Sequence, residues 1–230
     1  VTEGYAVIAN VADVRDCALA DDLAWAYLEA RAANSQDVRT MGTPPVTRRA
    51  PDTWHALNGW PRESAQWGQV THAGAGQSAF QWHCRALPKV HAAFARVWGT
   101  EALHVSFDGF NVMRPAPHPR TSQGWYHVDQ SVLSECFEGV QGLICFRTMR
   151  PQDAGLVLVP QSHLDHGARA KRFQEQNDPC IEAYIPIDER PEEMRRIAGR
   201  VVKPLLHRGD LILWDSRTVH CNTPADDAAE

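Results

Sequence analysis

The chain has 230 residues, 43% of them hydrophobic and 22% charged, with a formal net charge of −5 at pH 7. That length and balance suit one soluble globular domain able to bury a sizeable core. The acidic balance, with no long basic run, excludes the electrostatic footprint of a nucleic-acid or anionic-membrane partner, and no apolar stretch approaches a membrane span.

The opening "VTEGYAVIAN" has neither the basic start nor the apolar middle of a signal peptide. The six cysteines (Cys17, Cys84, Cys136, Cys145, Cys180, Cys221) lack C-x-x-C spacing. Both features point to a cytoplasmic protein with reduced thiols rather than a secreted disulfide framework. The first third then reads as helical. "DCALADDLAWAYLEARAAN" sets Leu19, Leu23, Ala26, Tyr27 and Ala30 at helical spacing, and "LPKVHAAFARVW" does so with Leu87, Val90, His91, Phe94 and Val97. Between them lies a loop-rich segment with Pro44, Pro45, Pro51, Pro61 and several tryptophans.

From about residue 102 the texture changes to strands. "LHVSFDGFNVM", "WYHVDQS", "GVQGLICFRTM", "GLVLVP", "RVVKPLL" and "DLILWD" are short apolar or alternating runs bounded by Pro, Gly and Asp. Helices followed by short strands predict an α+β, mainly β fold, with helices packed on a sandwich or small barrel of the jelly-roll or cupin kind. Residues 161–198 interrupt the strands with a charged, helical insertion placed to form a lid or pocket wall. Within it, the Glu192 and Glu193 of "EEMRRIAGRVVK" mark a solvated helix face. With no repeat or low-complexity linker, the expectation is a single domain over residues 1–230: a helical part about 1–100, a barrel about 102–230 and the insertion about 161–198.

One strand carries "GWYHVDQS", in which His127 and Asp129 share a face while Val128 points away. They form either a buried structural pair or two arms of a metal site, and the second reading needs a third ligand. The last strand-like block, "HRGDLILWDSRTVHCN", supplies it: Gly209 and Asp210 turn, Leu211 to Trp214 form the strand, and His220 follows. Two imidazoles and a carboxylate make the facial triad that leaves three metal positions open and suits non-haem Fe(II). Inward positions of two barrel strands face one cavity, so ligands from both can meet there.

In order, "HVD", "GLVLVPQSH" and "GDLILWDSRTVH" resemble the phytanoyl-CoA dioxygenase-like group of Fe(II)/2-oxoglutarate oxygenases, and "GYAVIAN" resembles that group's first strand. The resemblance implies a double-stranded β-helix, a jelly-roll-type barrel, with iron held by His127, Asp129 and His220. It also implies 2-oxoglutarate on two open positions, O2 on the third, and an oxidant able to take hydrogen from an unactivated C–H bond as the co-substrate goes to succinate. The protein's share of such chemistry is positioning and shielding. Related halogenases carry a small residue where Asp129 stands, so the carboxylate favours hydroxylation or another oxidation.

Other polar residues have weaker credentials. Alternation sets Val105, Phe107, Asn111 and Met113 on one face, pointing the Asn111 amide into an apolar barrel at a position resembling one that relatives use for 2-oxoglutarate. Arg114 falls on the opposite face, where a surface or inter-strand role is expected. His163 and His166 in "SHLDH" read as a structural turn, and His91 as a hydrogen-bonded core histidine near His83 and Cys84. Arg217 can clamp a carboxylate or brace Asp215 or Asp210. Trp125, Trp67 and Trp82 are pocket or core residues. Only "CNTPADDAAE" follows His220, without the arginine that relatives place beyond it. Asp226, Asp227 and Ala228 read as a loop between strands, so a chain trimmed at its C-terminus is expected, leaving Arg217 a bracing or substrate residue. Taken together, these features predict a soluble, cytoplasmic dioxygenase hydroxylating a small organic molecule. The alternatives are an inactive jelly-roll binding protein, or a cupin-like metalloenzyme that does not use 2-oxoglutarate.

Overall fold

The computed structural model describes residues 2–115, 122–131, 133–175 and 185–226; Cys180, Asp227 and Ala228 lie outside them. The chain forms two compact units. Residues 1–9 and 123–223 make a strand unit, and residues 10–122 with 224–230 make a helical unit.

The helical unit contains α1 (Val14–Ala33), α2 (Gln36–Met41), α3 (Arg62–Trp67), α4 (Ala79–Ala86) and α5 (Pro88–Trp98), with β2 (Gln69–Val70) and β3 (Phe110–Asn111). A capping box starts α1: the Asp13 carboxylate accepts from the Arg15 and Asp16 amides, and Asp16 accepts from the Asp13 amide. The buried face of α1 is Cys17, Ala20, Leu28 and Ala32, whereas Leu19, Ala26 and Ala30 of the expected stripe are exposed. The reason is close packing on α4: small residues admit a neighbouring helix that a leucine ridge would hold off. On α5 the expected face is half right, since Leu87 and Val90 are buried but His91 and Val97 are exposed. His91 pairs with the Glu101 carbonyl (3.2 Å) at the surface rather than in a core.

The segment 103–113 is not one long strand. Only Phe110–Asn111 pairs, antiparallel to Gln69–Val70, and it joins the helical unit rather than the barrel expected from residue 102 onward. Gly109 explains the local geometry: a Cβ there would stand 1.7 Å from the Val70 carbonyl oxygen, so only glycine permits the approach. Phe107 and Val105 are exposed. Arg114 donates to the Trp54 carbonyl (2.7 Å) and lies 5.6 Å from the Trp60 ring centre, beside the packed indoles of Trp25, Trp54 and Trp60.

In the strand unit, β1 (Tyr5–Ile8), β8 (Leu211–Asp215) and β5 (Val140–Ile144) form one antiparallel sheet, ordered β1-β8-β5. The N-terminal strand thus belongs with the barrel strands rather than with the helices. The second sheet, β6-β9-β4-β7, comprises β6 (Gly155–Leu158), β9 (His220–Thr223), β4 (His127–Val128) and β7 (Ile185–Pro186). "RVVKPLL" makes only a bridge from Val202 to Leu158, with Pro204 unable to donate to a longer ladder. The sheets share a core of Leu156 and Leu158 from one and Ile212 and Trp214 from the other. The architecture is therefore α+β, with a two-sheet, jelly-roll-type strand core.

The second sheet's outer face carries Val128, Ile185 and Val219, covered by Ala170 and Phe173 of α6 (His166–Glu175) and Ile197 of α7 (Pro191–Ile197). The described parts of the insertion, 161–175 and 185–198, therefore back the sheet on the side away from His127. They also supply strand β7. No helix among the described residues is long and apolar enough to cross a membrane. Burial pushes the Cys84 and Cys221 thiols up to about 12, which leaves both inert.

Candidate metal centre

The register of β4 and β9 sets His127 directly opposite His220, their ring centres 4.4 Å apart. Val128 turns to the outer core and is fully buried, as alternation requires. Asp129 follows immediately, its amide bonded to the Ser216 carbonyl (3.2 Å). Among the described residues, His127, Asp129 and His220 are the group whose donor atoms could hold one metal ion, all within 4.8 Å of one another. Asp129 Oδ1 lies 3.3 Å from His127 Nε2, and Oδ2 lies 3.5 Å from His220 Nε2.

Both imidazoles are anchored alike. His127 Nδ1 meets the Trp125 carbonyl (3.1 Å), and His220 Nδ1 meets the Thr218 carbonyl (3.0 Å). A carbonyl only accepts, so each Nδ1 carries the proton and each Nε2 turns a lone pair toward the shared space. Burial, with the His220 ring adding to it, pushes His127 down to about 4, so it is neutral at pH 7 and ready to coordinate. Burial would raise the Asp129 carboxyl, but the two histidines and Gln141 hold it at about 2, so it is ionised. Two imidazole nitrogens and one anionic oxygen fit a divalent iron-type ion.

The surroundings hold this set in place. Trp125 stacks on His127 at 4.9 Å with an 8° interplanar angle, and Trp214 of the facing sheet lies 5.3 Å from His220. The loop leaving Asp129 is pinned through its carbonyls: Gln130 Nε2 donates to Ser134 and Cys136, and His166 Nε2 donates to Ser131 and Ser134. Ser216 donates to Gln130 Oε1 (2.8 Å). His166 is thus structural, and His83 pairs with the Asp16 carbonyl (3.0 Å).

The remaining expectations fare differently. Asn111 lies in the helical unit and is exposed, not pointing into an apolar interior, because β3 is a two-residue ribbon instead of a barrel strand. Arg217, a candidate for the co-substrate carboxylate, is taken up as a brace. It donates through Nε (2.9 Å) and Nη2 (2.7 Å) to Asp215, and through Nη1 to the Glu135 carbonyl (3.0 Å). Trp82 is exposed, while Trp125 is buried against the site. Sequence reasoning missed Gln141, whose Nε2 donates to Asp129 Oδ2 at 2.5 Å. The signal available was a lone amide inside the apolar run "GVQGLICF".

A two-sheet β fold with two imidazoles and a carboxylate converging on its inner side defines the class of mononuclear metal-binding jelly rolls with open coordination positions. The phytanoyl-CoA dioxygenase (PhyH) family model matches residues 2–224, and the chain belongs to that family. A relative, "Ava biosynthesis cluster protein O" from Aspergillus versicolor, is 30% identical over 161 residues, which is 66% of this chain and 52% of the relative. The chain thus spans about half the length of that relative. Among solved structures, EctD from S. alaskensis with 2-oxoglutarate and 5-hydroxyectoine aligns with a TM-score of 0.54 and 16% identity, over 97% of this chain and 67% of that one. The non-haem α-ketoglutarate-dependent epimerase SnoN from nogalamycin biosynthesis aligns with a TM-score of 0.50 and 16% identity, over 100% and 74% respectively. At such identity both establish the fold.

Proposed function

We propose that the protein is an Fe(II)- and 2-oxoglutarate-dependent oxygenase that oxidises, most simply hydroxylates, a C–H bond of a small organic substrate. The observation that carries this reading is the convergence of His127, Asp129 and His220 in a member of the phytanoyl-CoA dioxygenase family. EctD, solved with 2-oxoglutarate, and SnoN, described as α-ketoglutarate-dependent, support the choice of co-substrate. The family match spans residues 2–224 and so both units, which supports one functional domain over 1–230. The six cysteines without C-x-x-C spacing support reduced thiols and, with them, a cytoplasmic setting.

His127 and His220 would give Nε2 to the iron, and Asp129 one carboxylate oxygen. Bound iron would supply the redox chemistry that couples decarboxylation of 2-oxoglutarate to substrate oxidation by O2. The chain's own part is to aim both imidazoles by their Nδ1 bonds, to keep His127 neutral and to keep the carboxylate ionised. Trp125 and Trp214 exclude water from the two rings. Asn111 remains a candidate contact for the co-substrate, on its resemblance alone.

The test is succinate release with Fe(II) and 2-oxoglutarate, screened for compounds that raise it above the uncoupled rate. Zinc should inhibit, since it accepts N and O ligands but has no redox chemistry. Activity with zinc alone, or without 2-oxoglutarate, would move the protein to the cupin-like reading. Metal binding without any succinate would leave a binding protein.

A further inference from the structure

The carboxylate of Asp129 is approached from the facing sheet. On β5, Gln141 sits opposite Trp214 and Leu143 opposite Ile212. Leu143, Ile212 and Trp214 all pack with Leu156 and Leu158 of the second sheet. Gln141 has the same parity as Leu143 and therefore projects inward, where its Nε2 reaches Asp129 Oδ2 at 2.5 Å. The amide has one possible orientation, because turning its oxygen toward an ionised carboxylate would set two acceptors against each other. The other half of the amide is different: among the described residues, Gln141 Oε1 is buried without a hydrogen-bond partner. A buried acceptor without a donor offsets what the bond to the Asp129 carboxylate contributes, so stability alone is a weak account of the amide.

We propose that Gln141 is the positioning residue of the metal centre, holding Asp129 Oδ2 from the opposite sheet so that Oδ1 alone is presented to the ion. This inference rests on the triad reading above. Both carboxylate oxygens lie within 3.5 Å of an imidazole Nε2, so nothing in the triad itself decides between one-oxygen and two-oxygen binding. The difference matters chemically. A carboxylate binding through one oxygen leaves three positions open on a six-coordinate ion. Binding through both would close one of them, leaving too few for a chelating co-substrate together with O2. By engaging Oδ2, the Gln141 amide keeps the third position free. The residue touches neither co-substrate nor reacting atoms; it acts through Asp129.

The experiment is an anaerobic Co(II) titration of the whole chain, following the ligand-field absorption, for wild type, Asp129→Ala, Gln141→Met and Gln141→Asn. Methionine keeps the length and removes the donor; asparagine keeps an amide but falls short of Oδ2. Wild type should bind one Co(II), and Asp129→Ala should lose it. Both Gln141 variants should bind roughly 10–100-fold more weakly, as loss of an outer partner of a ligand does. Their band intensities should change, and the metal-free melting temperature should stay level or rise because the orphaned Oε1 is gone or relocated. A merely structural Gln141 would lower the melting temperature and leave the Co(II) titration and spectrum as in wild type, which overturns the proposal. If wild type binds no Co(II), or Asp129→Ala binds it equally well, the triad reading itself falls. Should Gln141→Met not fold, Gln141→Asn decides alone.

Discussion

The two units differ in what they bury. In the helical unit the buried described residues are apolar apart from Ser64, whose hydroxyl donates to the Val112 carbonyl and receives the Trp60 indole N–H. The strand unit buries His127 and His220 and also Gln130, His166, Arg169, Glu193, Ser216 and Asn222. Polar groups in an interior cost free energy unless paired. The strand unit therefore trades stability for fixed geometry around its site, while the helical unit holds itself with indoles and surface ion pairs. Removing a partner should accordingly be expensive in the first and cheap in the second.

The largest effect expected is at the site. Asp129→Ala removes a ligand but little packing, since its side chain is 29% exposed. Metal affinity should fall by more than the ~100-fold that loss of an outer partner can bring, and succinate release should stop. Circular dichroism should show the fold retained. Unchanged Fe(II) affinity would remove the metal site from the strand unit.

Next comes a polar cluster around Glu193, which also accepts from Arg172 and is buried rather than lying on the solvated face expected of it. Arg169 is 2% exposed, donates to Glu193 (3.2 Å), and has Nη1 buried without a partner among the described residues. Glu193→Ala would strand that guanidinium, at about 3–5 kcal/mol in chemical denaturation. Replacing both Arg169→Met and Glu193→Leu should recover part of the loss, because the buried Arg169 charge goes with its partner, while Arg172, 28% exposed, loses Glu193 but keeps access to water. A single variant as stable as wild type would erase the contrast between the units.

How much of this was legible in the sequence depends on how local each feature is. His127, Asp129 and His220 could be found because alternation and the Gly209-Asp210 turn are local signals, and the structure does bring those three together. The apolar runs at 140–144, 155–158 and 211–215 are strands for the same reason. The face of α1 was misread because its partner is another helix, and small residues mark close packing that a count of leucines overlooks. The run 103–113 looks like a strand by composition, but a strand exists only where a partner lies beside it, and Gln69–Val70 pairs with it at only two residues. Gln141 was illegible as a function because its contact depends on how two sheets face each other. Arg217 had two readings that only its distance to Asp215 could separate.

A smaller effect should appear at that brace. Burial would raise the Asp215 carboxyl, but the Arg217 guanidinium and amide hold it below the usual carboxylate range. Asp215→Asn should cost about 1–3 kcal/mol at neutral pH, as loss of a charged hydrogen-bond partner does. A carboxylate whose folded pKa is depressed contributes stability above its unfolded value, and that contribution is lost as pH falls through the folded value. The gap between wild type and Asp215→Asn should therefore be full at pH 7 and shrink below about pH 4. Urea unfolding at several pH values measures it, and a gap that grows on acidification would contradict the pairing. Arg217→Ala should likewise lower stability without a selective loss of 2-oxoglutarate affinity.

The smallest effect tests the cheap side of the comparison. In the helical unit Arg48 pairs with Asp22 at 2.6 Å and also contacts Asp21, but its side chain is 39% exposed and that of Asp22 is 70% exposed. Water and salt screen such a pair, and holding two long side chains together costs entropy. Asp22 also sits inside α1, where alanine is the better helix former. Asp22→Ala thus loses a screened contact and gains propensity, and Arg48 keeps Asp21. The net change in unfolding free energy should be within about 0.5 kcal/mol of zero, of either sign, and should move toward stabilisation as salt rises. A loss as large as that expected at Glu193 would mean the helical unit depends on its ion pairs after all. The contrast would then lie in which polar groups are buried rather than in how each unit is held together.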